Sequence, residues 1–178
     1  INNNYPGIEV HVYYFNILEK DVPLSKFENL KCKFWTFDYE DAKENDQLNL
    51  ISNVTCFENY KKFPSVMKNE DYNYDAIFIG TDKGRLEQLL ALKKLLEKKN
   101  FKTLLYVVSS DSNCRKKFNY QRSISYSENV ELIANSSIII DLYQTGQTGA
   151  TLRSLDAGFV KKKVITNSSS IKREKFYK

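Results

Sequence analysis

Short apolar runs alternate with segments of helical periodicity between residues 75 and 166, and this alternation constrains the fold most strongly. The runs DAIFIG (75–80), TLLYVVS (103–109) and III (138–140) are rich in β-branched residues or end at a glycine, which favours buried strands. Leucines recur at helical spacing across residues 83–99, so this segment predicts an amphipathic helix. Because strands that alternate with helices imply right-handed crossovers, the sequence predicts an α/β fold with a parallel sheet.

Outside this region the sequence predicts shorter elements and a domain boundary. The segment NEDYNYD at 69–75 is acidic and rich in Tyr and Asn, which is typical of a linker, so we place a boundary near residue 72. The predicted domains are therefore 1–72 and 73–178. The smaller predicted elements are strands at 8–15 and 32–37, a helical turn within 21–27, a brief helix opened by residues 38–41, an irregular stretch over 44–74 with a short strand at 54–57, an edge strand at 123–126, and a helix at 128–135 N-capped by Ser127.

The charge and cysteine content limit the classes of ligand. The net charge is +5, from 27 lysines and arginines against 22 acids, which favours anionic ligands or an anionic membrane surface. The basic residues are scattered, so dedicated nucleic-acid binding is not expected. The three cysteines form no CxxC, and the single histidine, His11, lies in an apolar strand-like stretch, so no metal site is predicted. Reduced thiols are typical of the cytosol, and no run of about 20 apolar residues is present.

The first of two glycine-bearing loops follows the predicted strand at 75–80. In open parallel sheets, ligands bind beyond the carboxyl ends of strands. Gly80 and Thr81 begin this loop, and the basic side chains of Lys83 and Arg85 can neutralise a diphosphate that the glycine backbone approaches closely. The pattern GxxxxGK[ST] is absent, so this is not a P-loop, and a solvated helix cap is the structural alternative.

The second loop follows the predicted strand at 138–140. A helix is predicted to start near Thr148, and the free N–H groups of a helix start suit a phosphate. Asp156 lies about two turns into this helix, where its carboxylate can accept hydrogen bonds from a ribose diol. A surface carboxylate paired with a lysine such as Lys161 is the alternative. The candidate ligand-binding residues of this loop are Gln144, Gln147, Thr148, Gly149, Thr151 and Arg153.

Three stretches resemble a known family. GTDKGRLEQLLALKKLLEKK, ISYSENVELIANSSIIIDLYQTGQTGATLRSLDAGFVKKKVITN and the ending IKREKFYK look like the C-terminal half of bacterial lipopolysaccharide or capsule glycosyltransferases of the GT-B fold. The resemblance covers residues 75–178 and extends less specifically to HVYYFNI and FWTFDYEDAK, which resemble the end of such an enzyme's N-terminal domain. It implies a Rossmann-like parallel sheet with helices on both faces that binds the nucleotide-sugar donor, preceded by a partial acceptor-side segment.

The resemblance also assigns roles to the first loop. Gly80, Thr81, Lys83 and Arg85 are expected beside the donor diphosphate. Lys83 and Arg85 are then the catalytic pair, because basic side chains stabilise the charge of the leaving diphosphate. The family implies no cofactor and no essential metal, in agreement with the lack of a DxD motif.

The second loop departs from the family pattern at two positions. By the resemblance, Thr148, Gly149 and Thr151 lie at the phosphate-binding helix start, and Asp156 stands where a longer glutamate usually holds the ribose. Thr148 itself occupies the position of a frequent sugar-contacting glutamate. Sugar contact is therefore expected from one of the two glutamines of the loop.

The resemblance implies an enzyme that moves a sugar from a nucleotide-diphosphate donor to a glycan or lipid-linked acceptor. Such enzymes act in the cytoplasm or peripherally at the inner face of the cytoplasmic membrane. The chain begins at Ile1, and the first strands of an N-terminal domain are not evident. We therefore expect a fragment of a longer enzyme, and whether it turns over alone is open.

Two other classes of function fit parts of the sequence. A non-catalytic nucleotide- or sugar-binding module with a glycosyltransferase-like fold is favoured by the missing N-terminal strands. A flavodoxin-like or receiver-like interaction domain needs an acidic pocket with a phosphoacceptor at a strand end. Asp141 follows such a strand, but no paired acids accompany it.

Overall fold

The structure is a computed structural model that describes residues 7–18, 22–54, 72–110, 118–175 and 177. It divides into two compact units, and each is assembled from separate stretches of chain. The first unit consists of Ile1–Val54, Thr145–Ala150 and Ser169–Lys178, and the second of Thr55–Gln144 and Thr151–Ser168. The chain thus enters the first unit three times, an arrangement that the sequence pattern did not indicate.

The first unit contains a three-stranded parallel sheet in the order β1-β2-β3. A 3-10 helix, Leu24–Phe27, connects β1 to β2, and α1 connects β2 to β3. The elements are β1 (Val10–Tyr14), β2 (Cys32–Thr36), α1 (Tyr39–Glu44) and β3 (Leu48–Leu50). The first two strands and the brief helix confirm the predictions. The third strand lies in the stretch predicted to be irregular, because three residues are too few to show an alternating pattern.

The second unit contains a four-stranded parallel sheet in the order β5-β4-β6-β7. Its strands are β4 (Tyr74–Thr81), β5 (Thr103–Val108), β6 (Ser136–Asp141) and β7 (Lys163–Thr166). Its helices are α2 (Leu86–Glu97), α3 (Tyr126–Ala134) and α4 (Leu152–Phe159). The predicted α/β class and parallel pairing are confirmed.

Two apolar clusters pack the helices against the faces of this sheet. Ile77 and Ile139 pack against α3 and α4 through Val130 and Ala157. On the other face, Phe78, Leu105 and Ile140 pack with Leu89 of α2. Helices therefore cover both faces, which explains why β4 and β6 are apolar on both sides rather than alternating.

The start of α3 corrects two predictions. Ser125 is the N-cap: its hydroxyl accepts from the Glu128 N–H at 3.2 Å, while the Glu128 carboxylate accepts from the Ser125 N–H at 2.7 Å. This reciprocal capping box needs Glu at the third helical position, and the residue three after Ser127 is Val130. The predicted N-cap at Ser127 and the edge strand at 123–126 are therefore wrong.

Two further predictions concern where a helix begins and whether a short strand is present. Helix α4 begins at Leu152 after the N-cap Thr151, not near Thr148. Val54 is not in a strand, and the rest of the strand predicted at 54–57 lies outside the described residues. Among the residues that the structure describes, no helix has both the length and the apolar character needed to cross a membrane.

Candidate functional site

The strand order of the second sheet forms a switch point at the carboxyl ends of β4 and β6. β4 and β6 are neighbours in the sheet, but the crossover that leaves β4 leads outwards to β5 and the crossover that leaves β6 leads the other way to β7. The chain passes from β4 to α2 on one face and from β6 to α4 on the other. Open parallel sheets bind ligands in the crevice that such a reversal creates. Thr81 and Asp141, the last residues of the two strands, border this crevice.

The loop after β4 places Arg85 in this crevice. Lys83 and Gly84 have φ angles of 47° and 77°, which turns the chain sharply into α2. The Asp82 carboxylate then accepts from the N–H groups of Arg85 and Leu86, both at 3.0 Å, and so caps the helix. This local capping orients the Arg85 side chain back towards the ends of the strands.

The Arg85 guanidinium is buried, with 5% of the residue exposed. It donates to the carbonyl of Leu142 at 2.7 Å, to the carbonyl of Asp82 at 3.0 Å, and to the carbonyl of Thr81. It therefore bridges the loops that follow β4 and β6. Its hydrogen-bond acceptors are backbone carbonyls, and it forms no ion pair with a carboxylate of the described residues.

Arg153 at the start of α4 brings a second guanidinium to the same crevice. Its Nε donates to Asp141 at 2.9 Å, and its Nη1 donates to the carbonyl of Ile79 at 3.2 Å. A Cβ added to Gly80 would lie 2.7 Å from this Nη1, so the glycine leaves room for the guanidinium. Both arginines lie over the Phe78 ring, with Cζ atoms 5.3 Å (Arg85) and 5.1 Å (Arg153) from its centroid.

Asp141 is fully buried and organises the start of α4. Its carboxylate accepts from the Thr151 hydroxyl at 2.6 Å, from the Ser154 hydroxyl and from Arg153. A carboxylate engaged in this way positions Arg153 and ties β6 to α4. Its burial also argues against the exposed phosphoacceptor that a receiver-like domain would need.

The electrostatics of the crevice favour an anion. Burial, followed by the nearby Arg153 guanidinium, lowers the pKa of Arg85 to about 10, while Asp141 and Asp82 oppose this shift. The carbonyl acceptors and the two aspartates compensate only part of the desolvation cost of this buried cation, since the lowered pKa shows that burial outweighs them. An anion bound between the two arginines would offset that cost.

The other predicted residues of the second unit occupy different surroundings. Lys83 is exposed, and its N–H donates to the Ser110 hydroxyl at 2.7 Å. Gln144 is half-buried in the loop after β6. Asp156 is 1% exposed and accepts from the Tyr126 hydroxyl at 3.3 Å. Its carboxylate thus lies on the buried side of α4 rather than on the surface where Lys161 was considered as its partner.

The glycine turn at 145–150 belongs to the first unit, and an internal carboxylate binds its N–H groups. Asp38 accepts from the N–H of Thr148 at 2.6 Å and from the N–H of Gly149 at 3.0 Å. The Thr148 hydroxyl donates to the same carboxylate at 2.8 Å and accepts from the N–H groups of Tyr39 and Glu40. Of the residues predicted to hold a phosphate, Thr148 and Gly149 are therefore engaged by Asp38, whereas the Thr151 hydroxyl donates to Asp141.

Close packing reinforces this arrangement. A Cβ on Gly149 would lie 2.1 Å from the backbone oxygen of Phe37, which leaves no room for a side chain. The Gln147 side chain donates to the carbonyl of Gly149 at 3.1 Å. Asp38 also N-caps α1 by accepting from Glu40 at 3.1 Å. The turn and the start of α1 thus form one hydrogen-bonded junction within the first unit.

The sequence did not identify three residues that hold the switch point or the turn at 145–150 in place. Phe78 lies under both guanidiniums, yet its sequence context is that of any core strand. Asp141 was considered only as a phosphoacceptor, and Asp38 only as the opening of a helix. For Asp141, a signal existed: a carboxylate directly after a buried strand, followed by Thr151 and Arg153 at the next helix start, is typical of a positioning acid.

Comparisons of this chain with protein-family models, curated proteins and solved structures each returned no match. Within the part of the chain that the structure describes, no group of three or more His, Cys, Asp or Glu side chains could hold a metal ion.

Proposed function

We propose that this chain is the donor-binding part of a glycosyltransferase, with a Rossmann-like second unit of the kind found in the C-terminal domain of GT-B enzymes. It binds a nucleoside-diphosphate sugar at the carboxyl ends of β4 and β6. The sugar is transferred to a cell-surface glycan such as lipopolysaccharide or capsule, in the cytoplasm or at the inner face of the cytoplasmic membrane. The observation that carries the proposal is the buried Arg85 at the switch point.

The chemistry of that arginine favours a diphosphate over a neutral ligand. Arg85 is fixed by three carbonyls, and Arg153 is fixed by Asp141, so both guanidiniums are held before any ligand arrives. Guanidiniums bind phosphate oxygens with a planar array of donors. Both guanidiniums lie over the Phe78 ring at the ends of β4 and β6, so we propose that one diphosphate interacts with both.

The proposed mechanism is electrostatic. When the bond between the sugar and the diphosphate breaks, negative charge develops on the leaving phosphate oxygens. Arg85 and Arg153 would stabilise that charge, and Lys83 on the exposed side of the same loop would add to it. Gly80 contributes by admitting the Arg153 guanidinium, and Thr81 by fixing Arg85 through its carbonyl.

A second candidate function is a non-catalytic nucleotide- or sugar-binding module. One observation favours it: the three carboxylates of this region are already engaged. Asp82 caps α2 and accepts from the Tyr120 hydroxyl at 2.6 Å, Asp141 holds Arg153, and Asp156 is buried beside Tyr126. None of these three is placed as a general base for an acceptor hydroxyl.

Calorimetric titration of the full chain with inorganic pyrophosphate, and then with a panel of nucleoside diphosphates, tests the binding site. Saturable binding is expected, and Arg85→Met should weaken it at least tenfold. Arg122→Met is the matched control, since Arg122 is an exposed arginine of the same unit. Arg85→Lys, which keeps the charge, is the second variant should Arg85→Met fail to fold, and it should bind more weakly than the native chain.

The proposed site is refuted if no diphosphate binds, or if the Arg85 variants bind as tightly as the native chain. A separate assay distinguishes the two candidate functions once binding is established. Incubation with nucleotide sugars and a lipid-linked or glycan acceptor should release nucleoside diphosphate if the chain is a glycosyltransferase. Binding without release supports the non-catalytic module.

A further inference from the structure

The segment 118–121 lies against the carboxyl end of β5. The N–H of Gln121 donates to the carbonyl of Val107 at 2.8 Å. The rings of Phe118 and Tyr120 meet edge to face with their centroids 5.2 Å apart, and both pack on the apolar cluster between α2 and the sheet. A backbone hydrogen bond and two packed rings therefore fix the position of the Tyr120 side chain.

The Tyr120 hydroxyl binds the carboxylate that shapes the Arg85 loop. It donates to Oδ2 of Asp82 at 2.6 Å. The other oxygen, Oδ1, accepts from the N–H groups of Arg85 and Leu86, both at 3.0 Å. Each oxygen of this carboxylate thus has a hydrogen-bond donor, and none of these donors is the guanidinium of Arg85.

The Asp82 carboxylate is nevertheless a neighbour of that guanidinium. Nε of Arg85 donates to the backbone carbonyl of Asp82 at 3.0 Å, so the two side chains leave the same short turn. Burial and then the Arg153 charge lower the pKa of Arg85, whereas the charges of Asp141 and Asp82 raise it. Because Asp141 already binds Arg153, Asp82 is the carboxylate that can compete for Arg85.

We propose that Tyr120 is a positioning residue of the anion site, whose hydroxyl holds the Asp82 carboxylate away from the Arg85 guanidinium. A carboxylate and a phosphate use the same planar donors of a guanidinium, so an internal carboxylate and a bound anion exclude each other. The inference rests on the proposed function, because it concerns the same Arg85 site. It deepens that function by naming the residue that keeps Arg85 available to a phosphate.

A purely structural role of the hydroxyl is the alternative, and the two roles respond differently when Asp82 loses its charge. If the hydroxyl acts by restraining the carboxylate, its removal weakens anion binding only while Asp82 is negatively charged. If it only stabilises the loop, its removal weakens anion binding to the same extent in a variant with a neutral residue at this position. A double-mutant cycle separates the two roles.

Calorimetric titration with inorganic pyrophosphate would compare four full-length proteins: the native chain, Tyr120→Phe, Asp82→Asn and the double variant. Phenylalanine keeps the packed ring, and asparagine keeps an oxygen for the cap of α2 but carries no charge. Tyr120→Phe should weaken pyrophosphate binding about fivefold, whereas the double variant should bind as tightly as Asp82→Asn alone. Tyr106→Phe is the matched control, because its hydroxyl donates to the carbonyl of Arg122 at 3.1 Å, and it should bind like the native chain.

The pH dependence of anion binding is a second readout, which a purely structural role would not change. A released Asp82 carboxylate stabilises the Arg85 cation, so Tyr120→Phe should lose sulfate affinity at a higher pH than the native chain does. An unchanged pH profile would contradict the inference.

The inference is overturned if Tyr120→Phe binds pyrophosphate as tightly as the native chain, or if the hydroxyl matters equally with aspartate and with asparagine at position 82. In both cases the Arg85 site itself still stands, because the native chain binds. If the native chain binds no pyrophosphate, the proposed site is refuted, and the role of Tyr120 is refuted with it.

Discussion

The loop at 81–85 and the turn at 145–150 look alike in sequence, but they differ in the charged side chain that lies against each of them. Both carry glycines with positive φ angles, and both follow a strand of the second sheet. In the first, the Arg85 guanidinium is buried against carbonyls without an ion-pair partner among the described residues. In the second, Asp38 already binds the N–H donors of Thr148 and Gly149. Asp82 binds N–H donors of the first loop in the same way, so the two loops differ in the buried guanidinium and not in their backbone donors.

The largest effect is expected from Asp38→Ala. The change removes the acceptor of the buried Gly149 N–H and of the half-buried N–H and hydroxyl of Thr148, so the free energy of unfolding should fall by about 4 kcal/mol. Urea denaturation measures this loss, and Asp46→Ala, at an exposed aspartate of the same unit, should cost less than about 0.5 kcal/mol.

The milder variant Asp38→Asn sharpens the comparison of the two loops. It keeps one acceptor oxygen but removes the charge, so the turn donors become available to an added anion. Pyrophosphate affinity should nevertheless remain that of the native chain, because the proposed site is at Arg85. Clearly tighter binding by Asp38→Asn would instead make the turn at 145–150 the phosphate site.

Gly149→Ala should have the next largest effect. The new Cβ would lie 2.1 Å from the Phe37 backbone oxygen, which is less free to move than the end of a side chain. The free energy of unfolding should therefore fall by about 3 kcal/mol. Gly146→Ala is the control within the same turn: its nearest atom is 3.8 Å away, and only its φ of 84° opposes a side chain. That variant should lower the free energy of unfolding by about 1 kcal/mol. Equal costs in thermal or urea unfolding would contradict the tight junction.

The smallest expected effect is a pH dependence of anion binding. Arg85 must be protonated to bind an anion, and its lowered pKa of about 10 means that the cation is lost from pH 10 upwards. Sulfate is the suitable probe because its own charge does not change in this pH range. Its affinity should be steady below pH 9 and should fall about tenfold for each pH unit above pH 10. Lys83→Gln should keep this profile. If the affinity stays constant up to pH 11, the anion is bound by backbone N–H groups, which do not titrate in this range, and not by Arg85.

The sequence predicted most of the second sheet because its strands and helices carry their own periodicity. The β-branched runs of β5 and β6 and the leucine spacing of α2 are local signals, and each lies within two or three residues of its predicted bounds. The start of α3 was missed by two residues because both Ser125 and Ser127 are good N-caps. Only the position of Glu128 decides between them.

The turn at 145–150 could not have been interpreted from its own residues. Its chemistry depends on Asp38, which lies 110 positions before Thr148. A single sequence shows which donors a turn offers but not which distant acceptor meets them. Arg85, by contrast, is held largely by Thr81 and Asp82, so its place at the end of β4 follows from local sequence.

The same long-range junction has a consequence for how the chain becomes structured during synthesis. A nascent chain that has emerged from the ribosome only as far as β6 contains β1, β2 and α1, but the turn residues that bind the Asp38 carboxylate are not yet free to reach it. Closing a loop of this length costs conformational entropy that the junction must offset, which makes its formation late. The first unit is therefore expected to acquire its full resistance to proteolysis only after translation has passed residue 150, when most of the second unit can already fold.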